Sequence, residues 1–239
     1  MTTEKPIILF IPGAWHQGGI FEPVANILRA QGYQAEPITL PSVGGLTSTN
    51  AYDDAEHICK THLNDLVAQG KEVILVMHSY GGIPGTESVK GLARKDIAAQ
   101  GEKVESSASY INRRSWSPLA QVSSHFSQGD KMYPKDPREK FYNDLDDETA
   151  SKYLAAIVHH APETMRTPLT YEAYCDVPTN YILCTRDAGF PLFAQQKIAA
   201  IPGEGVVRTY SVDAGHFAML SQPQAVADVI HDVATRIAG

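Results

Sequence analysis

The chain has 239 residues, of which 43% are hydrophobic and 20% charged, with a net charge of −7; this fits a globular protein with one large core or two small ones. The acidic balance disfavours nucleic acid and anionic membrane surfaces as partners, and no apolar run approaches the ~20 residues of a membrane-spanning helix. The opening Met-Thr-Thr-Glu-Lys-Pro lacks the charged head and apolar stretch of a signal peptide, so a cytoplasmic location is expected.

The run 6–11 (PIILFI) is apolar on both faces, as in a buried parallel strand. Ile20, Phe21, Val24, Ile27 and Leu28 recur at helical spacing, and Gly32 stops that helix. Residues 34–40 predict a second strand, placed near an edge by Pro37. Ala55, Ile58, Leu63, Leu66 and Val67 mark a helix closed by Gly70, and 72–77 (EVILVM) is a third, strongly apolar strand. A helix is predicted over 81–93. Further on, 180–184, 191–200, 206–212 and 222–237 predict strand, helix, strand and helix. This alternation implies an α/β fold, with a mostly parallel central sheet and helices on both faces. Ligands in such sheets sit at the carboxyl ends of the strands. Residues 117–175, rich in charge, Tyr and Pro, break the alternation. They are expected to form a mainly helical lid insert, with helices over 137–144 and 147–160, while 1–116 and 176–239 form the core. Cys59, Cys175 and Cys184 are an odd number at wide spacings, which predicts buried free thiols and neither a disulfide framework nor a zinc site.

The most informative stretch is Val76-Met77-His78-Ser79-Tyr80-Gly81-Gly82, between an apolar strand and a helix. That context is the one a nucleophile elbow of the form G-x-S-x-G requires. A serine on a sharp strand-to-helix turn projects its hydroxyl out of the sheet, and Gly81 and Gly82 leave room where backbones nearly touch. Pro84 falls in the first helical turn, where a missing N–H costs little. The helix's positive end then points towards an oxyanion formed on a substrate. Met77 stands where the pattern's first glycine belongs and crowds the turn. On this stretch alone, a structural serine and a nucleophile weigh equally.

Two partners tip the balance. The strand Tyr181-Ile182-Leu183-Cys184 runs into Thr185-Arg186-Asp187, and Val212-Asp213-Ala214-Gly215-His216 places a histidine after the last strand. Singly, Asp187 reads as a turn aspartate and His216 as a loop histidine. Together with Ser79 they keep the order Ser, acid, His, each at a strand's carboxyl end. A serine hydroxyl needs a base to take its proton. A histidine titrating near neutrality can do so, and a carboxylate fixes its tautomer. Asp213 is a rival acid, but it lies too near His216 in sequence to support the ring from below. For an oxyanion the expected backbone donors are Tyr80 and Ala14, the latter in the loop 11–19 (IPGAWHQGG), where Gly13 lets the chain turn. Gly13, Trp15, His16 and Phe217 are candidate pocket residues, with packing under the lid as the alternative for Trp15 and His16. His78 is expected to pack beside the elbow. His159 and His160 are expected to end a helix, where positive charge suits the dipole. The nine histidines show no metal-ligand spacing.

The PGAWH loop, the HSYGG elbow, RDAGFP and AGHF resemble the α/β-hydrolase superfamily, and within it the small lid-bearing branch of methylesterases, hydroxynitrile lyases and microbial ester or lactone hydrolases. The resemblance implies a mostly parallel eight-stranded sheet. It also implies a Ser79–His216–Asp187 triad with Ala14 and Tyr80 as oxyanion-hole donors. Cyanohydrin-cleaving members carry a lysine after the histidine, where this chain has Phe217, and a hydroxyl residue where it has Gly13. Cyanohydrin cleavage is therefore disfavoured. The segment 104–114, a central strand in the family, is polar here and closes on Arg113 and Arg114; the strand is expected to be short, distorted or replaced.

The resulting expectation is a serine esterase or lactonase acting on a small or medium apolar substrate, with no cofactor and no metal. The alternatives are the same triad used for carbon–carbon lyase, decarboxylase or acyl-transfer chemistry, or a small-molecule binding protein with negligible turnover. Oligomeric state stays open.

Overall fold

In a computed structural model of the chain, which describes residues 4–93, 108–112 and 125–237, strands β1 (Ile7–Ile11) and β3 (Val73–Met77) are buried at every position. Their double-sided apolar character makes them interior strands, and each fully buried Ile or Leu contributes roughly 1.5–3 kcal/mol. With β2 (Ala35–Pro37), β4 (Ala108–Asn112), β7 (Thr179–Cys184) and β8 (Val207–Val212) they form a parallel sheet in the order β2-β1-β3-β4-β7-β8. The described residues thus give six strands in this sheet, where the resemblance implies eight. β2 is an edge strand, as Pro37 requires, because proline cannot donate to a further neighbour.

Helix α1 (Glu22–Ala30) packs against the C-terminal helix (Pro223–Ile237), while α2 (Ala51–Ile58) packs against α4 (Gly82–Glu87), so both faces of the sheet are covered. Asn50 opens α2 with a capping box shared with Asp53. The predicted single helix through Leu66 is interrupted by a π-turn at Cys59–Leu63 before α3 (Asn64–Ala68). The helix expected over 81–93 is shorter, ending at Glu87. There the Glu87 carboxylate is drawn sideways to accept from Thr170 Oγ1 (2.9 Å) and the Tyr171 N–H (3.1 Å).

The polar central segment is neither replaced nor irregular where it is described. β4 pairs with β3 along all five residues, although it meets β7 only at Tyr110 and Ile111. Residues 104–107 lie outside the described part. The described part of the insert, residues 125–175, is less helical than expected. A β-hairpin, β5 (His125–Gln128) and β6 (Lys131–Pro134), comes first, turning at Gly129 with φ +63°. Helices α5 (Pro137–Lys140) and α6 (Asp147–Ala155) follow. Each stops short of its predicted end. After α5 the chain turns to hold core loops, as described below. After α6 it extends, and His160 forms bridges with Met132 and Val43. Expected helix-end charge at His160 is therefore corrected to a fully buried ring. Cys184 is buried, but Cys59 is half-buried and Cys175 is exposed on a short 3-10 turn, against the expectation for both. No described helix is long and apolar enough to cross a membrane.

Candidate active site

Ser79 sits between β3 and α4 with φ +51°, in the left-handed region that non-glycine residues rarely enter. Strain of this kind persists only where the surroundings fix it. Gly81 explains how the turn closes: a Cβ there would stand 2.7 Å from the Ile11 carbonyl oxygen and nearer still to that of Pro12. Gly13 has a related role, different from the turn expected of it. Its φ is not in the positive range; instead a Cβ on it would lie 3.0 Å from both Ser79 Cβ and His78 Nδ1. The residue that turns the loop is Trp15, at φ +68°.

Asp187 and His216 follow β7 and β8 and meet in the interior. His216 Nδ1–H donates to both Asp187 carboxylate oxygens at 3.1 Å, and both residues are buried. Asp187 Oδ1 also accepts the backbone N–H groups of Gly189 and Phe190 at 2.8 Å. It is both a turn aspartate and a partner of the histidine. Gln195, on the helix α7 (Leu192–Ala200), is fully buried beside it and ties this loop together. Its side chain accepts from the Cys184 N–H (2.8 Å), donates to the Cys184 and Phe190 carbonyls (3.0 and 2.7 Å) and reaches Asp187 Oδ2 at 3.5 Å. Asp213 faces away and pairs with Arg186 at 2.9 Å. His78 packs by the elbow as expected and donates from Nε2 to the His216 carbonyl (3.0 Å).

Trp15, His16 and Phe217 lie under the insert, all buried. Trp15 Nε1–H donates to the Met132 carbonyl (3.1 Å), and the Trp15 carbonyl accepts from the Val158 N–H (3.2 Å). A carbonyl can only accept, so the 2.7 Å contact between His16 Nδ1 and the Ala14 oxygen places the proton on Nδ1. His16 Nε2 then accepts from the Tyr142 hydroxyl at 2.5 Å. Burial lowers the His16 pKa to about 4, so the ring is neutral near pH 7. Phe217 fills the space between the His16 and His78 rings, 4.5 and 4.7 Å away.

Three groups escaped the sequence reading. Gln195 offers a weak signal, a polar residue on a helix that caps an apolar strand. The second group is a buried polar cluster: Asp54 accepts from the Ser42 N–H (3.0 Å), the Ser42 hydroxyl (2.5 Å) and the Tyr80 hydroxyl (2.6 Å). Burial raises the pKa of Asp54, and burial with the neighbouring Asp54 raises that of Tyr80. The side chain after Ser79 is thereby anchored to α2. The third group is the turn after α5, where Phe141 stacks on His216 at 5.2 Å with 25° between ring planes.

The family model described as the alpha/beta hydrolase family matches residues 8–229. Among curated relatives, an alpha/beta hydrolase, nvfD, from Aspergillus novofumigatus is 25% identical over 96% of this chain and 97% of its own length. Among solved structures, a pyrethroid hydrolase from Sphingobium faniae superposes with a TM-score of 0.69 at 22% identity, covering 96% of this chain and 97% of the other. A tomato methylketone synthase I bound to 2-tridecanone does so with a TM-score of 0.73 at 14% identity, covering 98% and 99%. The sheet order, the left-handed serine between β3 and α4 and the family match across nearly the whole chain agree, and the chain belongs to the alpha/beta hydrolase family.

Proposed function

We propose that the protein is a serine hydrolase that cleaves a small or medium, largely apolar carboxylic ester or lactone through an acyl-Ser79 intermediate. The observation that carries this reading is the buried His216–Asp187 pair at 3.1 Å on both carboxylate oxygens, together with the left-handed Ser79 at the end of β3. Ser79 Oγ would attack the ester carbonyl while His216 Nε2, whose Nδ1–H is held by Asp187, takes the serine proton. The backbone N–H groups of Ala14 and Tyr80 would receive the oxyanion. His216 would return its proton to the leaving alcohol, and water activated by the same ring would release the acid. The rings of Phe141 and Phe217 beside His216 favour an apolar substrate. On this reading residues 117–175 act as a lid on the core.

A second reading keeps the triad for chemistry other than hydrolysis. It is favoured by the depth at which the insert buries Trp15, His16 and His216, which limits water, and by structural likeness to a protein named as a synthase. A p-nitrophenyl ester series of increasing acyl length, with intact-mass detection of a fluorophosphonate adduct, decides between them. Turnover and one adduct in wild type, both lost in Ser79→Ala, support hydrolysis. An adduct without turnover favours the second reading, and neither would sink both.

A further inference from the structure

Four consecutive residues just after α5 each hold a different part of the proposed site. Phe141 stacks on the His216 ring. Tyr142 donates its hydroxyl to His16, whose other nitrogen donates to the Ala14 carbonyl in the proposed oxyanion loop. Asn143 Nδ2 donates to the carbonyl of Arg186, the residue before Asp187, at 2.9 Å. The Asp144 carboxylate accepts the N–H of Gly215, the residue before His216. Two glycines of the core make room for this segment. A Cβ on Gly215 would stand 2.5 Å from both Asn143 Oδ1 and Asp144 Oδ1, and one on Gly189 would stand 3.0 Å from the Lys140 carbonyl oxygen.

We propose that residues 141–144 are a positioning clamp that sets the geometry between Asp187, His216 and the oxyanion loop, an inference that rests on the serine-hydrolase reading above. Asp187 and His216 sit on separate loops that touch directly where the Arg186 N–H donates to the Ala214 carbonyl (2.9 Å) and Arg186 pairs with Asp213, and the clamp adds a second tie on the other side of the His216–Asp187 hydrogen bond. Asn143 and Asp144 grip those two loops one residue before the acid and one before the base. The Cα atoms of Asn143 and Asp144 are tied at about 3.8 Å by a peptide bond, so both grips together fix the relative setting of the two loops at the ends that carry the acid and the base. Tyr142 links the same segment to the oxyanion loop through a neutral His16. The insert thus does more than cover the site: its docking assembles it. None of the four residues needs to touch a substrate to matter.

The test uses Asn143→Ala, Asp144→Ala, Asp144→Asn and Tyr142→Phe in the full chain. For each, kcat and KM on a p-nitrophenyl ester, the fluorophosphonate labelling rate and the downfield proton resonance of His216 Nδ1–H are measured on folded protein. Misplacement of reacting groups by about 1 Å costs on the order of 100-fold in rate. Asp144→Ala and Asn143→Ala are therefore expected to lose kcat on that scale with KM little changed, and to weaken or shift the His216 resonance. Asp144→Asn, which keeps an acceptor for the Gly215 N–H, is expected to restore most of the rate. Variants that are merely less stable, with kcat and the His216 resonance unchanged, would overturn the clamp. If the alanine variants do not fold, Tyr142→Phe, which removes one hydroxyl, carries the same test with the same outcomes. Wild-type protein that neither turns over nor labels would refute the hydrolase reading instead. The His216 resonance needs no substrate and would still judge the clamp.

Discussion

The side chain of Met77 occupies the space that a side chain on Gly85 would need: a Cβ there would stand 2.9 Å from Met77 Cγ and nearer still to Sδ. The methionine in the elbow's usual glycine slot is thus accommodated by a glycine on α4, and it is buried there. Gly85→Ala is expected to lower stability by about 1–3 kcal/mol through overpacking. Adding Met77→Ala should relieve the part of that clash due to Met77, leaving the 2.9 Å approach to Ile11 Cδ1. Urea unfolding of both single variants and the double variant gives the coupling; strictly additive effects would show that the two positions do not share this space.

Asp187→Asn should leave the fold intact while disturbing the tautomer of His216. A loss in kcat on the order of 10⁴-fold is expected, with KM nearly unchanged, in steady-state ester assays. Near-wild-type turnover would remove Asp187 from the proposed triad.

Acid should destabilise the protein through two buried imidazoles. Burial lowers the pKa of His160 to about 3 and that of His16 to about 4, from 6.5. Both folded values lie below the unfolded one, so the unfolded chain binds the extra protons. Stability from these rings is complete above about pH 6.5 and is lost as pH falls, the loss levelling off near 4 for His16 and near 3 for His160. In urea titrations across this range, His160→Phe should flatten the dependence, and an unchanged slope would contradict the burial argument.

Tyr80→Phe removes one of three donors to the Asp54 carboxylate. An under-satisfied buried group costs roughly 1–3 kcal/mol. Thermal unfolding should therefore show a clear loss for Tyr80→Phe, whereas Tyr52→Phe, at an exposed hydroxyl, should fall well below it.

What the sequence disclosed followed from periodicity and strand ends. β1 and β3 are uninterrupted apolar runs and β7 ends in one, and Ser79, Asp187 and His216 stood out as candidates because each follows one strand in a fixed order. The structure places the Asp187 carboxylate against His216 Nδ1. The insert was legible only as a break in pattern. Its hairpin lacks strong alternation, and the run after Pro137 keeps a helical look through residue 144, although Tyr142, Asn143 and Asp144 leave the helix and hydrogen-bond to distant loops. No local signal marks such bonds, since their partners lie about 43 to 126 positions away along the chain. Trp15 was equally hidden: a bulky residue in the left-handed region contradicts its intrinsic preference and is held by Met132 and Val158. Asp54 carried no motif, because its partners Ser42 and Tyr80 belong to other elements.

The contact between the Trp15 indole and the Met132 carbonyl gives the molecule a built-in optical probe. The chain has two tryptophans, Trp15 and Trp116, so replacing Trp116 leaves one indole, excited selectively above the tyrosine band and placed at the seam between core and hairpin. Its emission would then report, without any added label, whether that seam is dry and closed or wet and open while a ligand enters.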